Sequence, residues 1–475
     1  RKIDCWVNFG VTQAYYLKCC SCSKEFKLSD KELKEIALSY IDKETLSEVD
    51  PTLFDFFPLL CSLFCHKKDK RLFTHPTEVI EEAITDLKNN SHTSFIALAL
   101  LVLYNNDLKK EVLRMKAVDN LIEEICQECD IEQAYNKKPD QVTFNRLMGE
   151  YICETGDSYT AVHDKMFDII AISVSQLIMG VVIKNVPSEF IRNRMQLKCL
   201  GESDMHNIIL IAAVHEESYL SRIEIEIKNA NYQAVFDNLN TKREEYRNRL
   251  QKFFDEKIKP GNFPVTSDNI SPLHIVASLG YVDLVQYMIE KHYHQNNLVD
   301  ADGKTPFMYA CENGHVNVVE YFAKFSPKIV NVNKRTKNGE SSIHLAAFNG
   351  HTQVVEQLIN LGFDVNDKTN ENKTPLYLAC KEGHYNTVKL LLDLNGDDKD
   401  SRVDTGIKDE DELTPLHIAC HKGHTEIVEL LIANSMDIND TANDNLPPLC
   451  QACHGGHYNT VKLLLELYEH DEYIR

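Results

Sequence analysis

Six stretches in the second half of the chain follow one pattern, and that pattern limits the fold more than any other feature. Aligned, "SPLHIVASLGYVDLVQYMI", "TPFMYACENGHVNVVEYFA", "SSIHLAAFNGHTQVVEQLI", "TPLYLACKEGHYNTVKLLL", "TPLHIACHKGHTEIVELLI" and "PPLCQACHGGHYNTVKLLL" place Gly280, Gly314, Gly350, Gly383, Gly423 and Gly456 at intervals of 34, 36, 33, 40 and 33 residues. Proline in a first helical turn has no N–H to satisfy, and Thr305, Thr374 and Thr414 stand before it as helix caps. The glycine ends that helix where a positive φ is needed, and a second helix follows with apolar residues three and four apart. Neither helix can bury its apolar face alone, so neighbouring pairs must supply the core.

The T-P-L-H-x-A signature at a period of about 33 resembles the ankyrin repeat. The resemblance covers residues 264–475 and implies a solenoid of six repeats. It also implies a protein partner, held by the turn tips and the concave face of the first helices. The positions this marks are Met308, Tyr309 and Glu312, then Tyr377, Lys381 and Glu382, with His421 and Lys422.

The repeat absorbs several motifs that would otherwise read as chemistry. Cys450 and Cys453 form a C-x-x-C, but Cys311, Cys380, Cys420 and Cys453 all follow the repeat proline by five residues, where Ala277 and Ala347 stand in the other two repeats. A position shared by Ala and Cys is expected to be small and buried, without redox or metal chemistry. His315, His351, His384, His424 and His457 follow the repeat glycine, and His274, His344 and His417 hold the fourth place of T-P-L-H, so all eight read as scaffold. "DGKTP" at 302–306 is no phosphate loop, because the earlier glycine of GxxxxGK(S/T) would fall on Leu298. The 40-residue interval leaves an acidic insertion, "NGDDKDSRVDTGIKDEDE", expected on a loop of one face.

Charge narrows the partner. The formal net charge is -21, and residues 264–475 hold 31 acidic against 17 basic side chains. Phosphate binding relies on clustered Lys and Arg, so nucleic acid is not an expected partner. The longest apolar run, "FIALALLVLY" at 95–104, has half of the roughly 20 residues a bilayer span needs, so it reads as a core helix and no membrane is expected. The 15 cysteines are spread along the chain with no secretory pattern, which reads as reduced thiols and a cytoplasmic protein. The chain starts at Arg1 instead of Met and reads as a fragment, which leaves a signal ahead of it open.

Before residue 264 no period recurs. "SDKELKEIALSYI" at 29–41 opens with a capping box from Ser29 and Glu32, and further helices are expected at about 52–65, 77–88, 92–104, 108–129 and 141–149. "EYICETGDSYTAVHD" then reads as strand, Gly-Asp turn and strand, with Tyr151, Cys153, Tyr159, Ala161 and His163 on one face. Asp164 is expected to cap the helix "KMFDIIAISVSQLIMGVV" that follows, giving a winged-helix-like unit. The expected fold class is mainly α: an all-helical domain over 1–145, a winged-helix-like domain over 146–225, a charged helical connector over 226–263 and six ankyrin repeats over 264–475.

The order "LSDKELKEIALSYI", "FFPLLCSLF", "FIALALLVLYNNDL", "YICETGDSYTAVHDKMFDIIA", "PSEFIRNRMQL" resembles the region after the nucleotide-binding core in STAND proteins. It is similar in particular to a novel STAND NTPase family of animals, often fused to ankyrin repeats. That resemblance implies an adenine-side proline at Pro58 and a phosphate-sensing His-Asp pair at His163 and Asp164. This chain has no GxxxxGK(S/T) and no acidic strand after one, so no cofactor is expected here, and ATP or ADP enters only with a phosphate loop ahead of Arg1.

Other clusters read as structure. Cys5, Cys19, Cys20 and Cys22 lack a second pair at zinc-finger spacing, Cys126 and Cys129 lie in an acidic helix, and "HKKDKR" at 66–71 is a solvated loop. His163-Asp164 would need further His and Asp ligands to form a hydrolytic metal site, so the chain is not expected to be an enzyme. Two functions follow: a signalling scaffold that is the C-terminal part of a STAND-like switch, or a stand-alone ankyrin adaptor for a ubiquitin ligase or an effector.

Overall fold

The computed structural model describes residues 60, 69–131, 138–201, 207–258, 263–291, 298–325, 332–394 and 403–472. The expected helix at 29–41, all of that at 52–65 except Leu60, Pro58, and Cys5, Cys19, Cys20 and Cys22 lie outside these residues. Two compact units form: one ends at Glu226 and adds Asn238–Tyr246, and the other comprises Ile227–Asp237 and the chain from Arg247 onward.

In the first unit, α1 (Pro76–Asn90) turns Val79, Ile80 and Ile84 inward, and α2 (His92–Leu103) is apolar all round and buried from Ser94 to Leu103. A helix without a polar face has to be wrapped, and α1 and α5 (Asp164–Leu177) do so. Asn105 and Asn106 at positive φ turn the chain after α2 into β1 (Leu108–Lys109). This corrects the expected helix from 108: α3 (Lys116–Glu128) starts later, because β1 pairs with a hairpin that is distant in sequence. After α4 (Gln141–Leu147), β2 (Ile152–Thr155) and β3 (Ser158–Ala161) form that antiparallel hairpin, with Gly156 at φ +63 in the turn. The sheet order is β1-β3-β2. Tyr159 stacks on Phe144 with centroids 4.1 Å apart, which locks the hairpin to α4.

Beyond α5, α6 (Met179–Asn185) and α7 (Ser188–Arg194) lead to a parallel pair, β4 (Met195–Leu197) and β5 (Ile209–Ile211), and then to α8 (Glu216–Lys228). Buried Asn240 ties this part together: it accepts from Leu197 N–H at 2.8 Å and donates to Tyr219 Oη at 2.8 Å.

In the second unit, α9 (Tyr232–Phe236) and the part of α10 (Glu244–Lys257) from Arg247 onward precede the repeats. The expected connector carries an aromatic face: Phe254 meets Phe263 edge-on at 5.4 Å, and Phe236 and Tyr287 lie within 6.1 Å of it. Arg247 Nε donates to both carboxylate oxygens of Asp283, at 2.7 and 3.0 Å, and the guanidinium lies 4.8 Å over Tyr281. Phe253 and Phe254 were hidden in the sequence among eight charged residues of the same helix.

Six helix pairs follow: α11 (Pro272–Ser278) with α12 (Val282–Lys291), α13 (Pro306–Glu312) with α14 (Val316–Phe325), and α15 (Ser342–Phe348) with α16 (Thr352–Asn360). Then come α17 (Pro375–Glu382) with α18 (Tyr385–Asp393), α19 (Pro415–Lys422) with α20 (Thr425–Ala433), and α21 (Pro448–Gly455) with α22 (Tyr458–Glu472). Thr305, Thr374 and Thr414 cap their helices, accepting from Met308, Tyr377 and His417 N–H. Consecutive inner helices pack on one another along the array.

Three devices join the repeats. Each histidine after the repeat glycine donates from Nε2 to a carbonyl of the preceding repeat, two residues before that repeat's glycine: His315 to Ser278, His351 to Glu312, His384 to Phe348, His424 to Lys381 and His457 to His421, at 2.7 to 3.2 Å. The rings lie against the preceding glycines, where an added Cβ would meet a ring atom at 2.3 to 2.6 Å. In the T-P-L-H helices, Nδ1 of His274, His344 and His417 takes the cap residue's N–H while Nε2 donates to carbonyls of the next repeat. Finally, backbone hydrogen bonds run from tip to tip, from Ala301, Lys337, Asn370, Glu410 and Asn443 N–H to Asp268, Asp302, Asn338, Glu371 and Asp411 O. The ladder passes the acidic insertion unbroken, and residues 395–402 of that insertion lie outside the described ones.

The last pair corrects one expectation. Cys311, Cys380 and Cys420 are buried, but Cys453 is exposed, because among the described residues no later inner helix covers it. "GHYNTVKLLL" occurs in both the fourth and sixth pairs, and Leu392 is 1% exposed where its counterpart Leu465 is 47% exposed.

Candidate partner-binding surface

The inner helices end in a row of side chains, each two residues before the repeat glycine: Ser278, Glu312, Phe348, Lys381, His421 and His454. The inner helices pack as consecutive neighbours, so the row runs the length of the array. Lys304 Nζ binds both oxygens of Glu312 at 2.7 and 2.9 Å, which neutralises the second rung. Phe348 is 39% exposed, with Lys381 Nζ 5.5 Å above its ring. His421 stacks on His454 at 5.4 Å, and Lys422 is exposed and forms no ion pair or hydrogen bond among the described residues.

Six of the eight residues marked from the sequence stand on this surface or its edge, and two do not. Met308 is fully buried under the cap of Thr305, and Tyr377 is 3% exposed with its hydroxyl given to Asp409 at 2.7 Å, so neither presents a side chain to a partner. Burial and then Asp409 push the Tyr377 phenol far above its ordinary pKa. Tyr309 is half-buried and donates to Asp300 at 2.8 Å, and Glu312 is held by Lys304. Lys381, Glu382, His421 and Lys422 retain partly or fully exposed side chains. Phe348 was missed because "SSIHLAAFNG" reads as one more apolar helix, although the same column is polar in the other five repeats.

The tips form the rim and differ in charge: Lys334, Arg335 and Lys337 stand before the third repeat, and Glu410, Asp411 and Glu412 before the fifth. One residue in each tip takes a left-handed φ: Asn269, Gly303, Gly339, Asn372, Glu412 and Asn445. Glu412 sits among Glu410 and Asp411, so this tip is negative and strained at a non-glycine residue.

The cap of α5 is His163 instead of the expected Asp164. His163 is 8% exposed, and its Nδ1 accepts Lys165 N–H at 3.1 Å. Asp164 is exposed in the first turn, where a carboxylate suits the positive end of the helix dipole. Pro58 lies outside the described residues. A groove between α1 and α5 is lined by Glu78, Glu81, Glu82 and Asp86, a sign of charge that repels phosphate. Burial and then Glu78 raise the Glu81 pKa.

Burial pushes the Cys311 and Cys380 thiols far up, Cys420 to about 12 and Cys129 to about 11, so these groups stay protonated and unreactive. Among the described residues no group of three or more His, Cys, Asp or Glu side chains could hold a metal ion, and no single helix is long and apolar enough to cross a membrane.

The family model for ankyrin repeats (3 copies) matches residues 246–333, 324–403 and 398–473. Among curated proteins, the transient receptor potential cation channel subfamily A member 1 homolog of Caenorhabditis elegans is 30% identical over 100 residues, which is 21% of this chain and 8% of that protein. The probable E3 ubiquitin-protein ligase XBOS32 of Oryza sativa subsp. japonica is 33% identical over 91 residues, 19% of this chain and 17% of its own length. Ankyrin repeat and SAM domain-containing protein 6 of Mus musculus is 31% identical over 88 residues, 18% of this chain and 10% of its own. The chain thus spans less than a fifth of each of these relatives. Ankyrin repeats make the second unit a non-catalytic, protein-binding module.

Proposed function

We propose that this chain is a protein-binding scaffold of the stand-alone adaptor kind: the ankyrin repeats of residues 246–473 hold a protein partner along their inner face, and the first unit is a winged-helix-like support. The observation that carries this reading is the row of inner-helix ends, where Phe348, Lys381, Glu382 and Lys422 keep accessible side chains along consecutive packed helices. The channel, ligase and SAM-domain relatives are matched over only 88 to 100 residues each, which is consistent with a module that serves different hosts.

The nucleotide-switch reading has less support. It rests on motif order, and His163 Nδ1 already has a structural use as a helix cap.

The adaptor reading is tested by capture with surface-directed variants of the full chain. Phe348→Glu and Lys422→Glu on the inner face are expected to abolish retention of a bound protein, while Lys389→Glu and Glu429→Lys on the outer helices leave it within about twofold. Loss on the outer-helix variants with retention on the inner-face ones would reject the reading.

A further inference from the structure

The inner face has a polarity that the charge of the array does not predict. Residues 264–475 carry 31 acidic and 17 basic side chains, yet from the third repeat onward the row reads Phe348, Lys381, His421 and His454, with Lys422 beside it. The acidic rung Glu312 is neutralised by Lys304, and Glu382, beside the row, lies 3.4 Å from Lys381 Nζ, so Lys422 is the cation of the row without an ion pair among the described residues. A cation near the C-terminal end of a helix is favoured by the helix dipole, which explains why Lys381 and Lys422 are tolerated there. It does not explain a phenylalanine left 39% exposed at the head of the row, under the ammonium of Lys381.

We propose that the inner face of repeats three to six binds an acidic protein segment, with one large apolar or aromatic side chain seated on Phe348 and carboxylates directed at Lys381 and Lys422. The acidic tip at Glu410, Asp411 and Glu412 rims the same face and would repel a segment placed on the rim instead of on the row. Packed inner helices lie about 10 Å apart, and an extended strand advances about 3.3 Å per residue. The Lys381 ammonium lies 5.5 Å from the Phe348 ring centre, so a carboxylate that answers it falls about two positions from the apolar anchor, and one that answers Lys422, two repeats along, about six. This assignment rests on the reading of the repeats as a protein-binding module and adds the chemistry of the partner to it.

The test is selection of random peptides of about 12 residues displayed on phage against the full chain. Peptides that combine an aromatic or large aliphatic residue with acidic residues at that spacing are expected. Their binding should fall at least about tenfold on Phe348→Ala and on the pair Lys381→Glu and Lys422→Glu, and by a smaller factor on Lys381→Gln with Lys422→Gln. Unchanged hydrogen exchange of the inner helices in these variants separates loss of contact from loss of fold. Selection of basic peptides, or of peptides indifferent to both substitutions, would overturn the partner assignment and leave the binding module standing. Failure to enrich any peptide would overturn both.

Discussion

Gly350→Ala is expected to destabilise the array by about 3 kcal/mol, while Gly456→Ala, at the same place in its own repeat, costs about 1 kcal/mol. Both glycines have a left-handed backbone, φ +72 and +74, so both variants carry the conformational cost of a Cβ there. They differ in what the new atom meets. At Gly350 it comes within 2.4 Å of His384 Nδ1, and at Gly456 nothing lies within 4 Å. The added methyl must displace the His384 ring, which breaks its 2.8 Å hydrogen bond to Phe348 O and leaves a carbonyl unpaired. If that is the cause, removing the ring by His384→Ala should make the glycine substitution cheaper, with a coupling of about 1 kcal/mol or more in a double-mutant cycle. Urea midpoints for the four chains measure it. Equal costs at Gly350 and Gly456 would show that only backbone conformation matters at this position.

Acidification is expected to unfold the repeats well above the pH at which exposed carboxylates are neutralised. Burial lowers the pKa of His274 to about 4, against the weaker opposing pull of the Lys304 carbonyl, and burial likewise lowers His344 and His417. The neutral ring is required, since Nδ1 accepts the N–H of Ser271, Ser341 or Thr414 while Nε2 donates onward. With these pKa values depressed in the folded state, the unfolded chain binds the protons more tightly. Stability is therefore complete above pH 6.5, the ordinary histidine value, and is lost as the pH falls from there toward about 4. His274 alone accounts for on the order of 3 kcal/mol over that window. Urea midpoints between pH 7.5 and 4 in the parent and in His274→Gln measure the effect, and the variant should be less stable at neutral pH but show a shallower decline. A parent curve flat from pH 7 to 5 would contradict the assignment.

The local rules of the repeat could be read from the sequence, because they act within a few residues: threonine caps, first-turn proline and left-handed glycine all stand where the spacing put them. What joins one repeat to the next could not. A histidine after a glycine gives no hint that its ring lies on the glycine of the preceding repeat, some 34 to 41 positions earlier. The alternating Ala and Cys column was read as small and buried, which holds for Cys311, Cys380 and Cys420. Cys453 is exposed because burial there comes from the following repeat and not from the residue's own helix.

The surface residues were harder for the same reason. Met308 and Tyr377 both occupy the third place after their cap threonines, and whether such a side chain points outward or under the neighbouring helix depends on stacking that no single repeat encodes. In the first unit, β1 was read as helix because Leu108 and Lys109 have no local strand signal, and only their pairing with Tyr159 and Ser158 makes them one. Asp164 was the better cap by residue type, yet the hairpin delivers His163 to that position.

Hydrogen exchange of the full chain, with and without the protein it captures, tests the central claim most directly. Protection is predicted at the ends of α15, α17 and α19, around Phe348, Lys381 and Lys422, with the outer helices α16, α18 and α20 unchanged. Protection confined to those outer helices, or to the first unit, would contradict an inner-face binding module.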